Sequence, residues 1–216
     1  MKKAKTGILT LLIGSSFLLT SCKCDKNAVV QDSAATDAEQ VDTSPATSRL
    51  DAEGNYIYDI GNNIEIALPD GSKMNVGENS SENKLFKMLS DENFQVSDDK
   101  TQGWVTLDRV YFSSGKAELS DNSQAQISNI ITLLKLFPTA TVKVGGYTDN
   151  TGDAAVNKRV STERAKTVAD QIIAGGIDAS RIESEGYGAE HFVCPANDTD
   201  ECKAQNRRVD IRITKK

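Results

Sequence analysis

Two side chains of opposite charge occupy positions from which they could bind a small zwitterion. Asp149 ends the run 145–149 (Gly-Gly-Tyr-Thr-Asp), which follows a strand-like stretch. Arg164 comes fifteen residues later, in what the sequence predicts are the first turns of a helix. A carboxylate accepts hydrogen bonds from an ammonium group, and a guanidinium can pair with a carboxylate through two parallel hydrogen bonds. A helix N-terminus would favour an anion further. The pair therefore predicts a site for a ligand that carries both charges.

Each of the two residues also has a purely structural interpretation. Asp149 could cap its own turn through an Asx hydrogen bond. Arg164 could pair on a solvated helix with Glu163 or Asp153, which are both near it in the sequence. From these residues alone both interpretations stay open.

Residues 1–21 are predicted to be a lipoprotein signal peptide. They begin with three lysines, continue with the apolar stretch 8–19 and end in Leu-Thr-Ser directly before Cys22. The apolar stretch is too short to span a bilayer as a mature helix. Small residues before a cysteine resemble the lipobox of bacterial lipoproteins, which implies cleavage before Cys22 and its acylation. The alternative is an ordinary secretory signal with a chance cysteine nearby.

Charge is distributed unevenly along the 216 residues. The formal net charge of −6 becomes −9 once the signal peptide is removed. Residues 25–103 carry sixteen acids and six bases, whereas residues 104–216 carry fifteen of each. Nucleic acid binding needs a basic face, so this balance argues against it. Residues 22–50 are polar and poor in large apolar side chains, and we predict a lipidated cysteine followed by a disordered linker.

Residues 51–103 are predicted to form a small β-hairpin and helix unit. Apolar residues alternate along 64–68 and again along 74–76, with Pro-Asp-Gly-Ser between them, which indicates a hairpin. An apolar cluster within 85–89 follows two serines and indicates a short helix. The tyrosines within 56–58 could belong to a further strand. The unit either packs on the rest of the chain or has a binding function of its own.

Residues 104–216 predict a mixed α/β (α+β) fold, in the order βαβαβ with a final strand. Helices would cover one or both faces of a mixed sheet. Pro138 would stop the first helix, and Gly175-Gly176 would end the second. Apolar periodicity places strands near 105–112, 142–144, 182–187 and 209–213, and helices near 127–134 and 165–172.

The remaining cysteines predict a local disulfide. Cys194 and Cys202 are eight residues apart in a turn-rich segment of an exported chain, which favours a bond that closes a loop. A zinc site is the weaker alternative, because only His191 could join them and the chain has no Cys-x-x-Cys pair. Cys24 has no predicted role. We predict no metal site and no cofactor.

From about residue 105 to residue 214 the chain resembles the OmpA-like peptidoglycan-binding domain. The resemblance depends on the order and spacing of several short pieces, since any one of them would be weak alone. These pieces are Val110-Tyr111-Phe112, Gly146-Tyr147-Thr148-Asp149, Gly152, Asn157, Ser161, Arg164-Ala165, Gly176-Ile177, Arg181, Gly186-Tyr187-Gly188 and Asn206-Arg207-Arg208-Val209.

The resemblance implies noncovalent binding of the diaminopimelate residue in the peptide stem of peptidoglycan. Asp149 would accept the ammonium group of its distal centre, and Arg164 would bind the carboxylate. Asn157 would buttress the loop after Asp149 or help to hold the ligand. Phe112 and the backbone at Ser113 would line the pocket wall.

Two further positions belong to the predicted site, and one departs from the family pattern. Thr148 directly precedes the aspartate. Arg207 and Arg208 should lie on opposite faces of a strand, and Arg207 could either support the site or touch the ligand. The family often has an aspartate where this chain has Ser113, so Asp149 would be more solely responsible for the ammonium.

Together these features predict a non-catalytic lipoprotein of the outer membrane that faces the periplasm. Its partners would be peptidoglycan, membrane lipid through acylated Cys22, and envelope proteins. A wall hydrolase would need a nucleophile, a metal site or two facing carboxylates, and the sequence offers no such set. The other alternative is an envelope protein-interaction module that does not bind the wall.

Overall fold

The computed structural model describes residues 48–113 and 115–216. The described residues all belong to one compact unit. The predicted signal peptide, the acylation site at Cys22, Cys24 and nearly all of the predicted linker lie outside the described residues. Within the described residues, no helix is both long enough and apolar enough to cross a membrane.

The fold is a mixed α+β structure with a separate two-stranded hairpin. The main sheet has the order β3-β6-β4-β5, in which β4 and β5 are parallel and the other neighbours are antiparallel. The predicted βαβαβ order with a final strand is confirmed. The elements are β1 (Asn63–Ala67), β2 (Lys73–Gly77), α1 (Ser81–Ser90), β3 (Trp104–Thr106), α2 (Ser123–Leu136), β4 (Thr141–Tyr147), α3 (Ala154–Ala174), β5 (Ile182–Gly188), α4 (Asp200–Asn206) and β6 (Val209–Lys215).

The core lies between α2, α3 and one face of the main sheet. Ile127, Ile130 and Leu134 recur at helical spacing along α2 and are at most 2% exposed. Val144 and Ile211, which are paired on β4 and β6, are fully buried against this layer. Removing such side chains from water supplies about 25 cal/mol per Å² of apolar surface. The apolar periodicity therefore places the helices on this face.

Two glycines allow α3 to lie directly on β4 and β5. A Cβ atom on Gly146 would stand 2.1 Å from the carbonyl oxygen of Ser161. A Cβ atom on Gly186 would stand 2.2 Å from the backbone nitrogen of Thr162. Real Cβ atoms do not approach that closely, so any side chain at either position would push the helix away from the sheet.

A buried polar network joins α1 to α2. The backbone N–H and hydroxyl of Ser81 both donate to Asp108 Oδ2 at 2.6 Å. Gln126 Nε2 donates to Asp108 Oδ1 at 2.7 Å and lies 3.1 Å from Glu82 Oε2. Arg109 pairs with the fully buried Glu82. Because buried charges are stable only when they are partnered, this network fixes the start of α1 against α2 and the segment that follows β3. The boundary between residues 103 and 104 stays a prediction.

The structure departs locally from the predicted elements. The first strand of the sheet is short, and Phe112 makes only an isolated bridge with Leu119. Tyr56 likewise forms a single bridge, with Leu50, in place of a strand. The helix α4 was not predicted, because its sequence is polar. It begins at a cap in which Thr199 Oγ1 accepts a hydrogen bond from the backbone N–H three residues later.

Replacing Gly146 with alanine tests the contact between α3 and the sheet. The added methyl group meets the helix backbone, and we expect the free energy of unfolding to fall by about 3 kcal/mol. Gly71→Ala is the control, because Gly71 has φ +85° at a turn with open space around it. That change should cost about 1 kcal/mol from backbone strain alone. Urea unfolding followed by the fluorescence of the single tryptophan measures both, and equal losses would contradict the contact argument.

Candidate functional site

Asp149 lies on the turn that leads from β4 to α3, and both of its carboxylate oxygens are engaged. Oδ1 accepts a hydrogen bond from the backbone N–H of Thr151 at 2.8 Å. Oδ2 accepts one from Arg207 Nη1, also at 2.8 Å. The side chain is 10% exposed. The Asx turn that the sequence allowed is therefore present, and it coexists with a charge pair that the sequence did not predict.

The surroundings of Asp149 favour its charged form. Burial acts to raise the pKa of this carboxyl group, but the hydrogen bonds from Arg207 and from Thr151 outweigh burial and hold the pKa below its ordinary value. Asp149 is therefore an anion at neutral pH and can accept hydrogen bonds from a cation.

Arg164 lies in the middle of α3, which corrects one prediction. The helix begins at Ala154, so Arg164 is almost three turns inside it and gains nothing from the helix N-terminus. Its Nε donates to the carbonyl oxygen of Lys116 at 3.0 Å, and its guanidinium carbon lies 5.1 Å from the ring centre of Phe112. The loop that follows Phe112 and the face of its ring therefore orient this guanidinium.

The acids that could have paired with Arg164 on the helix surface have other partners. Glu163 accepts a hydrogen bond from Arg159 at 2.9 Å, and Asp153 caps the start of α3. Burial lowers the pKa of Arg164, the positive charge of Arg207 lowers it further, and Asp149 opposes both. An arginine stays protonated under these conditions. It is therefore a buried cation beside a second cation, an arrangement that favours a bound anion.

The other residues that were predicted for the site differ in how they relate to Asp149 and Arg164. Asn157 Nδ2 donates to the carbonyl oxygens of Thr151 at 3.1 Å and Asp149 at 3.4 Å, so it braces the turn. The backbone N–H of Thr148 donates to a β5 carbonyl at 2.8 Å, and its hydroxyl is buried with no partner among the described residues. Ser113 is exposed on the turn before Lys116.

Arg207 and Arg208 have separate roles, but the prediction that they alternate along a strand is wrong, because Arg207 directly follows α4 and β6 begins only at Val209. Arg207 pairs with Asp149 and also donates from Nη2 to the carbonyl oxygen of Gly54 at 3.2 Å. Arg208 instead pairs with the buried Asp210, with Nε 3.0 Å from Oδ2. Arg207 thus touches the predicted ligand-binding carboxylate directly, and Arg208 lies in the structural interior.

A family model described as the OmpA family matches residues 111–207. This part of the chain is an OmpA-like domain.

Relatives of the OmpA-like domain occur in several bacteria. Over 105 residues the chain is 41% identical to a probable lipoprotein, YiaD, of Escherichia coli K12, with 49% of this chain and 48% of YiaD covered. Over 109 residues it is 36% identical to the peptidoglycan-binding protein ArfA of Mycobacterium bovis, with 50% and 33% covered. The matched part spans half or less of these curated relatives. The crystal structure of the peptidoglycan-associated lipoprotein of Burkholderia pseudomallei aligns with a TM-score of 0.47 at 24% identity, covering 59% of this chain and 99% of that one.

Asn206 is a residue of the OmpA-like domain whose role the sequence analysis missed. It is fully buried, and its Oδ1 accepts hydrogen bonds from the backbone N–H groups of Val193 and Cys194 at 2.9 and 3.0 Å. Its Nδ2 donates back to the Cys194 carbonyl at 2.9 Å. A disulfide between Cys194 and Cys202 closes the same loop. In the sequence, only the position of Asn206 directly before two arginines indicated that it could have a role.

A cavity of about 140 Å³ opens beside the site. Its wall includes Phe112, Arg164 and Arg207 of the OmpA-like domain, together with residues 53–56, which precede that domain. Asp149 is not among the described residues that line it. In the part of the chain that the structure describes, no cluster of metal-ligating side chains occurs. The guanidinium groups of Arg164 and Arg207 therefore line the cavity. The carboxylate of Asp149 is paired with Arg207.

The paired state of Asp149 predicts how stability depends on pH. Because the folded-state pKa is lowered, the stabilisation exists above the ordinary carboxyl pKa and is lost as the pH falls through the lowered value. Asp149→Asn should cost about 2 kcal/mol near pH 7, and this gap from wild type should close below about pH 4.

Urea unfolding at a series of pH values measures this gap. Asp170→Asn is the control, since Asp170 forms an exposed pair with Lys166 and should change stability by less than about 0.5 kcal/mol. A gap of constant size across the acid range would show that the charge of Asp149 does not contribute.

Proposed function

We propose that the OmpA-like domain binds peptidoglycan noncovalently, through the zwitterionic end of diaminopimelate in the stem peptide. The observation that carries this proposal is that Arg164 and Arg207 line one small cavity while Arg207 is paired with Asp149, so that groups of both charges belong to one connected site. Charges of both signs are what a zwitterion requires. The relative ArfA of Mycobacterium bovis is described as a peptidoglycan-binding protein, which supports the same ligand class.

Each side chain has a defined part in this proposal. Asp149 accepts the ammonium group of the ligand, and the brace from Asn157 keeps its turn in place. Arg164 binds the carboxylate, with its guanidinium oriented by Phe112 and by the carbonyl of Lys116. Preorientation of this kind reduces the conformational entropy that binding would otherwise cost. No bond is made or broken, so the role is a mechanical one.

The wider role that we propose is a link between the outer membrane and the cell wall. Lipid on Cys22 would hold the chain in the membrane, with the OmpA-like domain in the periplasm. The name of the relative YiaD, a probable lipoprotein, supports an anchor of this kind. Single contacts to one diaminopimelate can be weak, because many copies bound to one polymer give a strong combined attachment.

Cosedimentation with purified sacculi tests wall binding. The full-length chain in detergent should pellet with sacculi, whereas Asp149→Asn and Arg164→Gln should each weaken binding about tenfold or more, as expected for loss of a charged hydrogen bond. Arg159→Gln and Asp170→Asn, which change exposed residues of the same helix, should bind like wild type. All variants should keep their circular dichroism spectra.

The outcome also separates the two candidate functions. A wild-type chain that stays in the supernatant would contradict wall binding and favour the protein-interaction module. Pelleting that neither site variant reduces would mean that the wall is bound elsewhere on the molecule.

A labelling experiment tests the lipid anchor. Cells that express the wild-type chain should incorporate labelled palmitate into it and retain it in the membrane fraction. Cys22→Ser should abolish both, because several acyl chains contribute about 0.8 kcal/mol per buried CH₂. Cys24→Ser is the matched control, two residues away, and should leave labelling intact. Equal labelling of the wild-type chain and Cys22→Ser would exclude Cys22 as the acylation site.

A further inference from the structure

A short loop ahead of the OmpA-like domain, residues 49–57, has a defined structure of its own. Its two ends are joined by a 2.7 Å hydrogen bond from the backbone N–H of Ile57 to the carbonyl of Arg49. The Asp51 carboxylate accepts hydrogen bonds from the backbone N–H and the side-chain amide of Asn55, at 2.8 and 2.9 Å. We call this segment the N-terminal loop. Since Asp51 closes its turn, the loop can act as one piece.

The N-terminal loop is attached to the candidate site at two points. The carbonyl oxygen of Gly54 accepts a hydrogen bond from Arg207 Nη2 at 3.2 Å. The hydroxyl of Tyr111 lies 3.2 Å from the carbonyl oxygen of Tyr56 and 3.0 Å from that of Asp108, and these two oxygens share its single proton. The loop also forms part of the cavity wall. It is therefore a component of the site that lies outside the family-matched residues.

These contacts give Arg207 two anchors, the loop carbonyl on one side and Asp149 on the other. An incoming ammonium group has to compete with this guanidinium for the carboxylate. A simple amine that wins would leave Arg207 without its carboxylate partner, which is costly for a partly enclosed charge. A zwitterion avoids that cost, because its own carboxylate can pair with Arg207 as well as with Arg164.

We propose that the N-terminal loop holds Arg207 on Asp149 as an internal competitor and so makes the site select zwitterions over simple ammonium ions. The inference rests on the proposed function and adds a specificity element to it. The lowered pKa of Arg164, to which the charge of Arg207 contributes, agrees with a pocket that requires the ligand to bring an anion.

Loosening the loop should weaken this selection. Asp51→Ala removes the carboxylate that closes the turn and leaves every side chain of the OmpA-like domain intact. Asp70→Ala is the matched control, because Asp70 closes the β1–β2 turn by accepting hydrogen bonds from the N–H and hydroxyl of Ser72 at 2.9 and 2.6 Å. NMR titration of the full-length chain with meso-diaminopimelate and with cadaverine, a diamine without carboxylates, gives the ratio of the two affinities.

We expect Asp51→Ala to bind cadaverine about fivefold more tightly than wild type does, the effect of about one net hydrogen bond. The preference for meso-diaminopimelate should fall by a similar factor, and Asp70→Ala should match wild type. Tyr111→Phe removes the second attachment and should change the ratio in the same direction. This variant keeps the test valid if Asp51→Ala proves unstable.

The remaining outcomes separate this inference from the proposed function. Wild-type binding of meso-diaminopimelate with an unchanged or larger preference in Asp51→Ala and Tyr111→Phe overturns the role of the loop alone. Failure of wild type and of both loop variants to bind meso-diaminopimelate overturns the proposed ligand, and the loop inference falls with it. Binding of meso-diaminopimelate by the loop variants but not by wild type would contradict both proposals, because the intact loop would then exclude the zwitterion that it is proposed to select.

Discussion

The site depends on the direct contact between the backbone of α3 and strands β4 and β5. Gly146 and Gly186 make this contact possible, since a Cβ atom at either would overlap the helix backbone. Ser161, at the contact point, accepts a hydrogen bond from the backbone N–H of Gly188 at 2.9 Å and so ties the helix to the end of β5. Arg164 lies one helical turn further along. The two glycines therefore set the distance between the Arg164 guanidinium and the turn that carries Asp149, although neither has a side chain that could bind a ligand.

Electrostatics then determines what this geometry can hold. Asp149 is paired with Arg207. Burial and the positive charge of Arg207 both disfavour the protonated form of Arg164 and lower its pKa. The group carries one more positive than negative charge. A ligand with only a positive group would add to that excess, whereas a carboxylate relieves it. Under the proposed function, a zwitterionic ligand would supply a cation for Asp149 and an anion for the two arginines, which is why we propose it over a simple cation.

Three consecutive residues connect the site to the rest of the molecule. Asn206 organises the disulfide-closed loop, Arg207 pairs with the Asp149 carboxylate, and Arg208 forms a buried pair with Asp210. They can do three different things because α4 ends and β6 begins here, so successive side chains point in different directions. A mechanical link of the kind that we propose would need such rigidity, because load would pass from the bound peptide into the sheet.

The sequence by itself predicted the order of elements apart from α4, including the hairpin β1–β2 and the helices α1 to α3, and it indicated Asp149 and Arg164 as candidate site residues. Those features follow from local periodicity, turn residues and motif spacing, which survive without tertiary contacts. Only the tertiary structure decided that Arg164 lies in the middle of its helix, that Arg207 pairs with Asp149, and that residues 53–56 complete the cavity. Asp149 and Arg207 are 58 residues apart. Such pairings are set by how the helix, sheet and N-terminal loop pack together, and no pattern within a short window of residues encodes that packing.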